Sequence, residues 1–141
     1  MRRSRTEIYL HVVWATRNRE PVLTGETARI ARESVTREAL SLDCTVLALD
    51  GVEDHLHLLA RVPGRVSAAE LAKQTKGASS RTVSEWLPDG DGFRWQEGYG
   101  AFSVSRSHLK RVIEYIAHQA ERHAKGDLWP EWEETDEEAP A

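Results

Sequence analysis

The sequence predicts an α+β domain in which strands and helices follow the order strand, helix, strand, strand, helix, strand, with one further helix at the end. Three observations carry this. Ile8, Leu10, Val12 and Trp14 alternate with Tyr9, His11 and Val13, the period-two pattern of a strand buried mainly on one side. Ala28, Ala31, Val35, Ala39 and Leu42 recur by threes and fours, as along one stripe of a helix. Ser67-Ala-Ala-Glu70 is a capping box, with Val66 and Leu71 placed as its hydrophobic staple.

Taken in order, the first strand covers Thr6 to Ala15 and leads into a basic loop, Thr16 to Leu23, that holds Arg17, Arg19 and Pro21. A helix is expected from Thr24 or Glu26 to Leu42. Cys44 to Asp50 reads as the second strand, Gly51 to Glu53 as a tight turn, and His55 to Val62 as the third strand. So short a connection makes the last two an antiparallel hairpin. Pro63-Gly64 ends it. The helix capped at Ser67 has the stripe Leu71, Thr75, Ala78, Thr82 and Trp86, with Pro88 just beyond. Off that stripe, Lys73, Lys76 and Arg81 flank Ser79 and Ser80, a basic, hydroxyl-bearing face suited to phosphates. Phe93 to Ser105 is strand-like and aromatic, interrupted at Gly98-Tyr99-Gly100, where small residues suit a bend.

The last helix is capped by Ser105 or Ser107 and runs to His123 or Ala124, with the stripe Leu109, Val112, Ile113, Ile116 and Ala120. Tyr115 lies about 120° around from the centre of that stripe. It is therefore expected outside the core, beside Arg111, His118, Gln119 and Arg122. Two split βαβ units in this order make the ferredoxin-like (RRM-like) sandwich, an antiparallel four-stranded sheet with two helices on one face. The other face is expected to be open, and the C-terminal helix carries the tyrosine.

The 141 residues fit one domain with a sizeable core. The net charge of −4 is misleading, because six of the 23 acidic residues fall in the last eleven positions while all 19 Lys and Arg lie before them. That run reads as a solvated or disordered tail. No apolar stretch is long enough to span a bilayer or to follow Arg2-Arg3 as a signal sequence, so no membrane association and a cytoplasmic location are expected. The single Cys44 lies in an apolar run and is assigned no chemistry.

Asp54-His55-Leu56-His57-Leu58-Leu59 is the stretch with chemical content. On a strand, His55 and His57 project from one face while Leu56 and Leu58 enter the core on the other. Neutral imidazole is the commonest metal ligand, and a strand fixes the spacing of two of them.

Together with the later Tyr115-Ile116-x-x-Gln119, this stretch resembles the single-tyrosine HUH transposases of the insertion sequence 200/605 type. The resemblance spans about residues 6–124. It takes in Leu10-His-Val-Val-Trp-Ala-Thr16, Lys76-Gly-Ala-Ser-Ser-Arg81 and the run Trp95 to Ser105. Two positions depart from the commonest pattern: Glu53 stands where a proline often precedes the box, and Arg122-His123 replaces a His-His pair.

The resemblance implies residues 1–125 as a single HUH transposase domain; residues 126–141, which are not part of the resemblance, read from their composition as an acidic, flexible tail. The resemblance further implies that His55, His57 and Gln119 bind Mg²⁺ or Mn²⁺ and that Tyr115 is the nucleophile. Attack on a DNA phosphate would leave a 5′-phosphotyrosine and a free 3′-hydroxyl. Two imidazoles and an amide make a weak site for hard Mg²⁺, so the ion is expected to bind poorly without DNA. The implied substrate is single-stranded DNA with hairpin ends. The implied assembly is a homodimer in which one subunit's tyrosine helix reaches the other's histidine pair. Lys73, Lys76 and Arg81 are candidates for hairpin phosphates, and Arg111 and Arg122 for the scissile region. The rival readings are a domesticated relative acting on host repeats, a non-catalytic single-strand-binding module, and a phosphoesterase that uses water.

Overall fold

The structure, a computed structural model, describes residues 4–88, 93–126, 130, 133 and 135. Strands β1 (Ile8–Ala15), β2 (Thr45–Val52), β3 (His55–Val62) and β4 (Gly100–Val104) form one antiparallel sheet in the order β2-β3-β1-β4. Helices α1 (Gly25–Ser41) and α2 (Ala68–Trp86) cover one face, giving the ferredoxin-like arrangement that the element order predicts. Val12 and Trp14 of β1 and Leu56, Leu58, Ala60 and Val62 of β3 enter the core beneath them. The alternation of the strands sends His11, His57 and Leu59 to the opposite face.

That opposite face is not open over its whole extent. Helix α3 (Leu109–Ala117) lies on it, packing Val112, Tyr115 and Ile116 against Leu59 in a second, smaller core. Tyr115, expected outside the core, is 1% exposed. Its angular offset from the leucine and isoleucine stripe turns it toward the histidine face of the sheet rather than to solvent.

Other expectations shift by a residue or a turn. Val52 pairs with His55, so the hairpin connection is Glu53-Asp54 and β2 continues through Gly51. A Cβ at Gly51 would overlap the His55 carbonyl oxygen, which is why this position takes a residue without one. The strand predicted from Phe93 is confined to Gly100–Val104, with a single bridge from Trp95 to Thr16 ahead of it.

The last helix breaks at His118 (φ −119°, ψ 33°), so α3 is followed by a separate α4 (Gln119–Lys125). Neither Ser105 nor Ser107 caps α3. A 3₁₀ turn, Arg106–His108, precedes it, and the Ser105 hydroxyl bonds His108 Nδ1 instead.

The Ser67 cap is as predicted, its side chain accepting from the Glu70 N–H. The buried stripe of α2 is Leu71, Ala72, Thr75, Ser79 and Val83, however, and Trp86 is exposed. Thr75 and Ser79 tolerate burial because their hydroxyls donate to the carbonyls of Leu71 and Thr75, each at 2.7 Å. Of the tail from 126 onward, the structure describes Gly126, Pro130, Glu133 and Thr135. Gly126 adopts φ +69°, the left-handed conformation that ends helices, and Thr135 is buried.

Candidate metal and nucleophile site

β3 presents His55 and His57 on one face with ring centroids 5.1 Å apart. Each is held from behind at Nδ1. His55 Nδ1 lies 2.7 Å from Asp54 Oδ1, and His57 Nδ1 lies 2.8 Å from Nε2 of His11, its diagonal neighbour on β1. Fixing Nδ1 leaves Nε2 of each ring facing the site, the arrangement by which orienting groups set the tautomer of a ligating imidazole.

Both Nε2 atoms meet the carboxylate of Glu133. Oε1 lies 3.1 Å from His55 Nε2 and 3.1 Å from His123 Nε2. Oε2 lies 3.2 Å from His57 Nε2 and accepts a hydrogen bond from the Tyr115 hydroxyl at 2.5 Å. The His57 contact lacks hydrogen-bond geometry, so among the described residues the buried His57 Nε2 has no hydrogen-bond partner. His55, His57 and Glu133 form a cluster whose ligating atoms all lie within 4.8 Å of one another.

The charges at the site follow from these contacts. Burial would push the Glu133 carboxyl up, but the imidazoles of His55 and His57 and the Tyr115 hydroxyl outweigh it and hold the group well below the usual carboxylate range. Burial likewise opposes charge on His55, yet its contacts with Glu133 and Asp54 prevail and raise its pKa. Burial wins at His57, whose pKa falls despite Glu133. At His11 burial, followed by the neighbouring His57, takes the pKa down to about 3. The contacts thus favour charge on His55 and Glu133, while burial disfavours it on His57 and His11.

The structure brings three of the four predicted residues to this point or next to it. His55, His57 and Tyr115 converge on Glu133, and the Tyr115 ring is 6.0 Å from that of His57 in the same chain. Within this one chain the tyrosine thus stands beside its own histidine pair. Gln119 is buried one contact away: its Nε2 donates to the Tyr115 carbonyl, which turns Oε1 toward His123 Nε2 at 3.1 Å.

The predicted phosphate contacts divide. Lys73 and Arg81 are exposed on α2, on the helical side of the sheet away from the histidines. Lys76 is engaged, its ammonium donating to the carbonyls of Gln96, Glu97 and Gly98 at 2.7, 2.8 and 3.1 Å. Ser79 accepts from the Trp95 indole at 2.9 Å, and Ser80 donates to the Phe93 carbonyl. This face of α2 anchors the 93–98 segment. Arg111 is exposed on α3, and the side chain of Arg122 lies outside what the structure describes.

Four contributors are absent from the sequence reading of the site: Asp54, His11, His123 and Glu133. Asp54 directly precedes the histidine box, and His123 lies four residues after Gln119, one helical turn. Both spacings are readable signals. His11 is legible only through the register of β1 on β3. Glu133 is one of six acids in the tail, and nothing local marks it.

Basic groups also gather beside His55 from the β1 loop. Arg19 Nη1 lies 3.5 Å from His55 Nδ1 and 3.7 Å from Asp54 Oδ1. Arg17, Asn18, Arg94 and Gln96 line a groove of about 620 Å³. Asn18 and Arg19 hold φ of 57° and 54°, a conformation that costs roughly 1–3 kcal/mol per non-glycine residue and recurs at ligand-binding loops.

Among known proteins, the chain is 25% identical to the ISDra2 transposase TnpA of Deinococcus radiodurans, over 86% of its own length and 93% of that protein's. It is 26% identical to the transposase of insertion sequence element IS200 of Salmonella typhimurium, over 83% and 80%. The crystal structure of a Deinococcus radiodurans transposase superposes with a TM-score of 0.66 at 26% identity, covering 84% of this chain and 98% of that one. A REP-associated tyrosine transposase, solved bound to a REP hairpin, shares the fold. Its TM-score is 0.65 at 15% identity, over 92% of this chain and 79% of that one. The family described as "Transposase IS200 like" matches residues 4–119, and with most of the chain so matched the protein belongs to the IS200-like transposases.

Proposed function

We propose that this transposase cuts and rejoins single-stranded DNA by transesterification through Tyr115. The observation that carries the reading is the meeting of the Tyr115 hydroxyl and both imidazole Nε2 atoms at one carboxylate, which puts a nucleophile and a metal-binding pair around the same point. His55 and His57 would hold a divalent ion, Mg²⁺ or Mn²⁺, with Gln119 as the third side chain that the resemblance implies. A buried His57 Nε2 with no hydrogen-bond partner fits a ligand atom. Bound there, the ion supplies Lewis-acid stabilisation to a non-bridging phosphate oxygen.

The chain's own groups account for the rest. His11, neutral, accepts from His57 Nδ1–H and keeps His57 Nε2 free of protons; Asp54 does the same service for His55. Tyr115 Oη, which donates its hydrogen bond to Glu133, gives up its proton as it attacks the phosphorus and forms the 5′-phosphotyrosine bond, while the 3′-oxygen departs with the bonding pair and takes up a proton in its place. The phosphodiester energy stays in the tyrosine ester, so a second 3′-hydroxyl reverses the step and joins new ends without ATP.

Single-stranded DNA with hairpin ends is the proposed substrate. The hairpin held by the structurally similar REP-associated protein supports this choice, and the groove lined by Arg17 and Arg94 lies near the site for a phosphate backbone. Lys73, Arg81, Arg111 and Arg122 are proposed as outer phosphate contacts.

The test is incubation of the protein and its Tyr115→Phe variant with labelled single-stranded DNA from its own flanks plus Mn²⁺, followed by denaturing electrophoresis. A protein–DNA adduct with the wild type and none with Tyr115→Phe is the expected result. Cleavage by both without an adduct would transfer the chemistry to water.

A further inference from the structure

We infer that Glu133, delivered from the far side of α4, is a metal ligand of this transposase and completes the histidine pair as a two-imidazole, one-carboxylate set. This rests on the reading of His55 and His57 as the metal-binding pair.

Proton bookkeeping at the site leads to it. Asp54 accepts the Nδ1 proton of His55, and with His11 as acceptor the Nδ1 proton of His57 is likewise directed away from the site. In those tautomers each Nε2 presents a lone pair, and each faces a Glu133 oxygen, also an acceptor, at 3.1 and 3.2 Å. Acceptors facing each other need a positive charge between them. The His57 contact with Glu133, at 3.2 Å, lacks hydrogen-bond geometry, which leaves room for such a charge.

The spacing suits a cation. Each Nε2 stands close to one carboxylate oxygen, near the roughly 3 Å between adjacent ligand atoms around an ion at about 2.1 Å. Gathering the whole cluster, whose ligand atoms lie within 4.8 Å of one another, onto one ion takes a small closing of the side chains. Gln119 is less well placed, since its carboxamide oxygen is turned to His123.

The chemistry agrees. Mg²⁺ and Mn²⁺ are hard ions that prefer anionic oxygen, and an amide supplies none. A carboxylate changes the expectation for the free protein, which should then bind the ion before DNA arrives. Glu133 also accepts the Tyr115 hydroxyl, so one side chain joins the ion to the nucleophile and sets the distance between them. Its position is built rather than incidental. Gly126 follows α4 in the left-handed conformation, the Glu133 N–H donates to the Pro130 carbonyl at 3.1 Å, and Thr135 is buried.

The experiment is a Mn²⁺ titration of the full chain without DNA, read by loss of the free-ion paramagnetic resonance signal. Wild type, Glu133→Gln, Glu133→Asp and His57→Ala are compared after circular dichroism has matched their folds. One ion per chain in the wild type, binding at least tenfold weaker in Glu133→Gln and partly restored in Glu133→Asp, is the expected result. A loss under tenfold in Glu133→Gln, with His57→Ala binding no ion, overturns the role of Glu133 and leaves the histidine site standing. Equal binding by wild type and His57→Ala overturns the metal-site reading itself.

Discussion

A buried imidazole whose pKa has fallen to about 3 stays neutral at any physiological pH, and that gives His11 its use. Neutral, it can accept from His57 Nδ1–H, and the 2.8 Å contact fixes the ring whose other nitrogen faces the site. His11→Leu keeps the volume but removes the acceptor. Orienting partners of ligating histidines are typically worth 10–100-fold in metal affinity or activity. Mn²⁺-dependent cleavage by His11→Leu should fall within that range while the thermal midpoint moves by only a few degrees. A cleavage rate unchanged from wild type would show that the sheet alone orients His57. From the sequence, His11 is one more polar residue on a strand face. Its partnership depends on β1 pairing with β3 in the observed register, a contact 46 residues apart in the chain.

At the scale of elements, the β2–β3 hairpin carries the histidines and is shaped at Gly51. Because a Cβ there would overlap the His55 carbonyl, Gly51→Ala must displace the strand that bears the site. A loss of roughly 1–3 kcal/mol in stability is expected, together with a larger fractional loss of cleavage than of stability, measured by urea unfolding and by initial rates.

The hairpin, both long helices and the capping box were legible because each is written locally, as a period, a spacing or a cap. The break at His118 was not: residues 109–124 keep a continuous helical period, and the interruption appears only in the folded chain. The buried face of α2 was misjudged for a related reason. Lys76, Ser79 and Ser80 looked like a solvent face suited to phosphates, and they instead hold the 93–98 segment through three carbonyls, an indole and a further carbonyl. Polar side chains with backbone partners are indistinguishable in sequence from polar side chains facing water.

For the molecule as a whole, the ferredoxin-like sheet separates two tasks. Its helical face holds the main core, with Trp14, Leu56 and Leu58 fully buried, and the opposite face carries the candidate site beside α3. The imidazole pair was readable from one hexapeptide, whereas the carboxylate that meets it comes from 76 residues beyond His57 and has no local signature. Among the described residues β4 is the outer strand on its side of the sheet, and a homodimer formed through it is the assembly we propose.

Since Tyr115 stands beside the imidazoles of its own chain, the proposed reading gives each polypeptide its own nucleophile and histidine pair. Genetic complementation then has a definite outcome. An equimolar mixture of Tyr115→Phe and His57→Ala, assayed for adduct after co-refolding, should stay as inactive as either parent. Recovery toward a quarter of wild-type activity would mean that helices are exchanged between neighbours.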